Sequence, residues 1–165
     1  MRLDEIAPGA ACFVDANIFI YHFTGASEEC SDFLNRCEEG AVQGITSANV
    51  ILEVLHRLMM VEAVTKNIVV PPQILKKLQR QPERIRHLSD YATHVEKIVE
   101  MGITIIPLSW DQIMKSQTLR ARHGLLVNDS LVIATMLIEG IDALASNDEG
   151  FVRVEEITLY RPTDI

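Results

Sequence analysis

Apolar residues follow two alternating periods along the chain. Cys12, Phe13 and Val14 form a continuous run that stops at Asp15, and the apolar series resumes directly after Asn17. A run this short reads as a buried strand that breaks into a turn or helix at the Asp. Residues 43–46, 103–106, 143–146 and 157–160 are further short stretches of strand character. Between them the apolar positions fall at helical spacing. Cys30, Phe33, Leu34 and Cys37 share one face of a segment that opens at Ser27 and stops at Gly40. Val50, Ile51, Val54, Leu55, Leu58 and Met59 form one stripe of a helix starting near Ser47. Ser109 and Gln112 have capping-box spacing and open a helix that closes at Gly124. Trp110 is expected in the core beneath that helix. Residues 125–130 lead into a helix that is apolar almost all round through Ile138, which demands burial on several sides, and Gly140 ends the run. Strands alternating with helices predict an α/β layer fold with a mainly parallel sheet.

Residues 62–101 interrupt the alternation. Pro71, Pro72 and Pro82 punctuate two helix-like runs, and the second carries Ile85, Leu88, Ala92, Val95, Ile98 and Val99 at helical spacing as far as Gly102. This is a helical excursion from the sheet-forming chain, and its apolar stripe is either core or a docking face. Lys76, Lys77, Arg80, Arg84 and Arg86 concentrate positive charge there. Such a run is most often a solvated helix face, and the functional alternative is a patch for RNA phosphates.

Composition narrows the class. The 165 residues, 48% hydrophobic and 23% charged, suit a single domain over residues 1–165. Cys12, Cys30 and Cys37 lack metal or disulfide spacing, so reduced thiols in the cytoplasm are expected. The acidic start, Met1 to Glu5, has no secretory pattern, and the longest apolar run, residues 131–138, is too short to span a bilayer. A net charge of −8 argues against coating nucleic acid non-specifically, though not against an enzyme that acts on it.

Four acids change the picture. Asp15 ends the first strand, and ligands of open parallel sheets bind beyond strand C-termini; as a structural alternative it caps the next turn. Glu53 lies at the edge of its helix stripe with its side chain leaning toward the helix start. An i,i+4 pair with Arg57 would explain it equally well. Asp129 falls in the first turn of a helix, where the dipole favours an anion. Asp148 follows the strand at 143–146. All four can converge on one sheet edge. Unpaired carboxylates there repel by roughly 4 kcal/mol per pair at about 4 Å and an effective dielectric near 20, so a counter-charge is required. Oxygen donors without a His or Cys cluster select Mg²⁺ or Mn²⁺, ions that activate water against a phosphodiester.

The ordered pieces Phe13-Val14-Asp15-Ala16-Asn17, Thr46-Ser47 with Glu53, Asn128-Asp129-Ser130-Leu131-Val132-Ile133-Ala134, and Ser146-Asn147-Asp148-Glu149-Gly150-Phe151 together resemble the PIN-domain nucleases, especially VapC-type toxins. The resemblance implies a three-layer fold with strand order 3-2-1-4-5 and a magnesium- or manganese-dependent ribonuclease. It also implies a homodimer and inhibition by a small antitoxin. By motif match Asp15, Glu53, Asp129 and Asp148 are the implied catalytic and metal acids, with Asn17 and Ser146 as supporting partners. Gly150 stands where many members carry another acid, and the excursion at 62–101 is longer than in compact toxins of this type.

Other classes fit less well. A haloacid-dehalogenase-type phosphatase needs a second acid two residues after the first, where this chain has Asn17. A PIN-like RNA-processing nuclease outside a toxin–antitoxin pair and a non-catalytic PIN-like scaffold are the alternatives. The five histidines, His22, His56, His87, His94 and His123, have no mutual metal spacing and are assigned to surface or packing.

Overall fold

The computed structural model describes residues 1–165. Its sheet is built outward from strand β1 (Ala11–Val14), in which Cys12, Phe13 and Val14 are wholly buried. On one side β1 pairs with β2 (Gln43–Ser47), which pairs with β3 (Thr104–Ile106). On the other it pairs with β4 (Ala143–Ala145), which pairs with β5 (Thr158–Tyr160). Every pairing is parallel and the order is β3-β2-β1-β4-β5, as the resemblance implied. All strand C-termini therefore share one edge, and the order reverses between β1 and β4.

The helices follow the predicted apolar stripes. α1 (Ala16–Thr24) buries Ile18 and Phe19, and α2 (Glu28–Glu38), capped by Ser27, buries Cys30, Phe33, Leu34 and Cys37. α3 (Ala48–Thr65) buries Val50, Val54 and Leu58. After the excursion come α7 (Trp110–His123), with the Ser109–Gln112 capping box formed, and α8 (Val127–Glu139). Residues 131–136 of α8 are all buried, as expected of a helix without a polar face. These elements close around 30 buried residues in one core. At Gly44 the sheet packs closely against α2, since a Cβ there would run into the Ile103 side chain and press on Cys37.

The excursion departs from expectation in detail. α3 continues to Thr65, so residues 62–65 belong to it and the excursion starts at Lys66. Three short helices follow, α4 (Ile74–Gln79), α5 (Pro82–Ile85) and α6 (Asp90–Glu100). The apolar stripe is split between helices and mostly internal. Leu88 joins Ala63, Val69 and Leu78 in a separate cluster with Ile85 against it, and Ile98 reaches the main core. Val99 is 60% exposed, because it lies about 100° around α6 from the buried Ile98. Trp110 is also no core residue: it is 70% exposed. The buried stripe of α7 is Gln112, Ser116 and Leu119, and Trp110 lies about 200° around the helix from Gln112.

Glu62 fastens the excursion to the domain. Its carboxylate accepts the backbone N–H groups of Ser89 (2.9 Å) and Tyr91 (3.0 Å) and the Lys66 ammonium (2.6 Å). Helix starts leave N–H groups without intrahelical partners, and α6 has no side-chain cap of its own. A buried carboxylate from α3 supplies that cap.

Candidate active site

Asp15 stands where β1 ends, and its position is determined by three donors. Oδ1 accepts the Ala16 N–H (2.8 Å), while Oδ2 accepts the Asn17 amide (2.7 Å) and the Ser146 hydroxyl (2.6 Å). Capping α1 and facing a site are thus combined in one side chain. Burial pushes its pKa up to about 6; Ser146 and Ala16 pull it down, and Glu53 and Asp129 add to the rise. Asn17 ties the two central strands further, donating to Ser146 Oγ (3.1 Å) and accepting the Asn147 N–H (3.1 Å) through its Oδ1. Arg161 beyond β5 holds the Asn147 side-chain oxygen at 3.2 Å.

The other acids arrive from three elements. Asp129 sits in the first turn of α8, half-buried, and its pKa is raised by burial and then by Asp148 and Glu53. Asp148 follows β4 and caps a 3-10 turn, Glu149–Arg153, by accepting the Gly150 N–H at 2.7 Å. A Cβ on Gly150 would lie 3.0 Å from Asp148 Oδ1 and 3.9 Å from Asp129 Oδ2, so an acid there would enter the same cluster. This chain has no side chain at that point. Glu53 projects from α3 and accepts the Asn128 amide at 3.3 Å.

Asp15, Asn17, Glu53, Asp129 and Asp148 line one cleft of about 260 Å³ at the sheet edge, and Ser146 lies beneath it. The four acids proposed from sequence are brought together at the point where the strand order reverses, where parallel sheets place their ligands. The donors are carboxylate oxygens without His or Cys, a set suited to hard divalent cations. As placed, no three of these side chains form a closed coordination cage.

Lys76, Lys77, Arg80, Arg84 and Arg86 do not line this cleft. Lys77 and Arg84 instead donate to the carbonyls of Val70 and Ile68, bracing the loop after α3. Arg57 does line the cleft, although sequence offered it only as a partner for Glu53, and that ion pair is not formed. Its i+4 offset from Glu53 was the available signal. Asn128 was visible within its motif, but its bond to Glu53 joins residues 75 apart in sequence.

Fold and cleft together define a parallel α/β protein with a carboxylate site at its topological switch point. The chain belongs to the PIN domain family, which it matches over residues 12–157, and PIN domains are nucleases. It is similar in structure to a chain of a toxin–antitoxin complex from Klebsiella pneumoniae, with 20% identity and a TM-score of 0.55 over 89% of this chain and 95% of that one. It is also similar to a chain of VapBC2 from Rickettsia felis bound to a promoter DNA fragment, with 15% identity and a TM-score of 0.59 over 92% of this chain and 98% of that one. At these identities the likeness is one of fold. No curated protein sequence matches the chain significantly. No helix is long and apolar enough to cross a membrane.

Proposed function

We propose that the protein is a metal-dependent endoribonuclease and the toxin of a toxin–antitoxin pair. The observation that carries the catalytic reading is the gathering of Asp15, Glu53, Asp129 and Asp148 around one cleft. These four would hold Mg²⁺ or Mn²⁺, which when bound activates water and screens the phosphodiester's charge. Asp15 is immobilised by Asn17, Ser146 and Ala16, so its carboxylate keeps a constant position through the reaction. Asp129, in the first turn of α8 and lining the same cleft, would help hold the ion or take the proton of the attacking water. Glu53, steadied by Asn128, and the exposed Asp148 complete the donor set.

The toxin assignment, and with it an antitoxin partner, draws on the two structural relatives, both from toxin–antitoxin complexes, while the homodimer is proposed on the family resemblance alone. The test is incubation of the pure protein with structured RNAs in Mn²⁺, Mg²⁺ or chelator. Discrete cleavage only with metal is expected, and Asp15→Asn abolishes it. Metal-independent cleavage, or wild-type rates in the folded variant, would overturn the assignment. Co-expression with a chromosomally adjacent small protein that suppresses cleavage tests the toxin reading, and light scattering at several concentrations tests the dimer.

A further inference from the structure

The outer face of α3 carries a second stripe. Asn49, Leu52, Glu53, His56 and Arg57 follow the spacing i, i+3, i+4, i+7, i+8, so they share one side of the helix, away from the buried Val50, Val54 and Leu58. With Asn128 from α8 they line a groove of about 420 Å³. It shares Glu53 and Arg57 with the acidic cleft and so continues directly from it.

Three features of the groove lack an internal explanation. Arg57 is a cation in a cleft of acids, yet it forms no ion pair. Asn49 is nine-tenths buried, and its Nδ2 has no partner while its Oδ1 accepts the Ser47 hydroxyl at 2.8 Å. Exchanging the amide's two ends would still leave one polar atom unpaired. Leu52 is 66% exposed beside His56, so an apolar surface and an imidazole face stand open together.

Resting on the nuclease reading above, we infer that this groove is the subsite for the nucleotide flanking the cleaved phosphodiester of a single strand, with Arg57 holding its phosphate and His56 stacking on its base. A protein of net charge −8 with an acidic cleft repels a polynucleotide, so a local guanidinium at the cleft's exit has a specific use. Stacking on His and apolar side chains, with amides at the base edge, is how unpaired bases are held. The exposed Asn128 supplies such an amide at the groove's edge. The groove is a positioning site, and the reacting atoms stay with the acids.

The experiment uses a fluorescein-labelled single-stranded decaribonucleotide. Initial rates in Mn²⁺ give kcat and KM, and anisotropy in chelator across a salt series gives affinity independently of cleavage. Arg57→Gln is expected to raise KM roughly tenfold with kcat nearly unchanged, the sign of lost uniform binding. It should also flatten the log-affinity against log-salt slope by about 0.7, the value of one phosphate contact on a single strand. Arg57→Lys should restore the slope and only part of KM. His56→Ala should raise KM severalfold and leave the slope alone. Lys115→Gln, on the exposed face of α7, is the control and should match the wild type. If the wild type cleaves while Arg57→Gln and His56→Ala keep its KM and slope, the inference falls and the nuclease reading stands. A wild type that neither cleaves nor binds this oligonucleotide also overturns the inference, whereas the nuclease reading falls only if the structured RNAs are left uncut as well.

Discussion

Two buried carboxylates on opposite parts of the molecule end with opposite pKa shifts. Asp15, at the sheet edge, accepts three hydrogen bonds and still has its pKa pushed up to about 6, because burial dominates and Glu53 and Asp129 add to it. Glu62, toward the far end of α3, also accepts three. Burial would raise its pKa too, but the Lys66 ammonium and the backbone N–H groups of Tyr91, Ser89 and Asp90 hold it down at about 2. Hydrogen-bond number does not separate them. The balance does: at Asp15 burial outweighs the hydrogen bonds and neighbouring acids add to it, whereas at Glu62 an ammonium and a helix N-terminus outweigh burial. The first arrangement holds a charge the fold leaves uncompensated, as a cation site requires. The second is complete in itself and serves to fasten α6.

The sharpest way to break this comparison is through activity. Asp15→Asn should lower metal-dependent RNA cleavage by at least about 10²-fold while its circular dichroism stays native. Glu62→Gln should leave the rate at saturating RNA within about twofold, since it touches only the base of the excursion. Cleavage assays on both variants check the pair.

Stability should show the reverse ranking. Glu62→Gln removes the ion pair with Lys66 and the charge behind the cap of α6, so urea unfolding near pH 7 should show a loss of roughly 2–3 kcal/mol. The pH profiles follow from the same signs. Glu62 has a depressed folded pKa, so its contribution is full above about 4.5, its ordinary value, and is lost as pH falls toward about 2. Asp15 has a raised folded pKa, so its contribution is full below about 3.8 and is lost as pH rises through about 6. Urea midpoints in chelator should therefore lose their acid-side fall in Glu62→Gln, and their decline between about pH 4 and 6 in Asp15→Asn.

The smallest effect concerns the cleft's rim. Asp148 is exposed and contributes to the raised pKa of Asp129, so in chelator Asp148→Asn should melt roughly 1–3 °C higher than the parent. Added Mn²⁺ should raise the parent more than the variant, by mass action on the folded state. Equal metal shifts in parent and variant, measured by thermal melting, would separate Asp148 from the cation site.

Local chemistry carried most of the architecture. The run Cys12 to Val14 read as a buried strand, the capping box at Ser109 and Gln112 opened its helix as drawn, and the apolar circumference of residues 131–136 required burial on several sides. These follow from period and cap, which are properties of neighbouring residues. Asp15, Asp129 and Asp148 were legible for the same reason, each standing at an element boundary that sequence marks. What remained was decided by elements distant in sequence. Trp110 and Val99 are exposed because no element packs over their side of the helix, and a stripe cannot reveal which of its edges stays open. Glu62 read as the start of an excursion and is instead the cap of a helix 28 residues later. Arg57 had the spacing to pair with Glu53, but Glu53 bonds Asn128, so the guanidinium is left free in the cleft. Spacing determines which groups can meet along one helix, and only the packing of helices against the sheet determines which of them do.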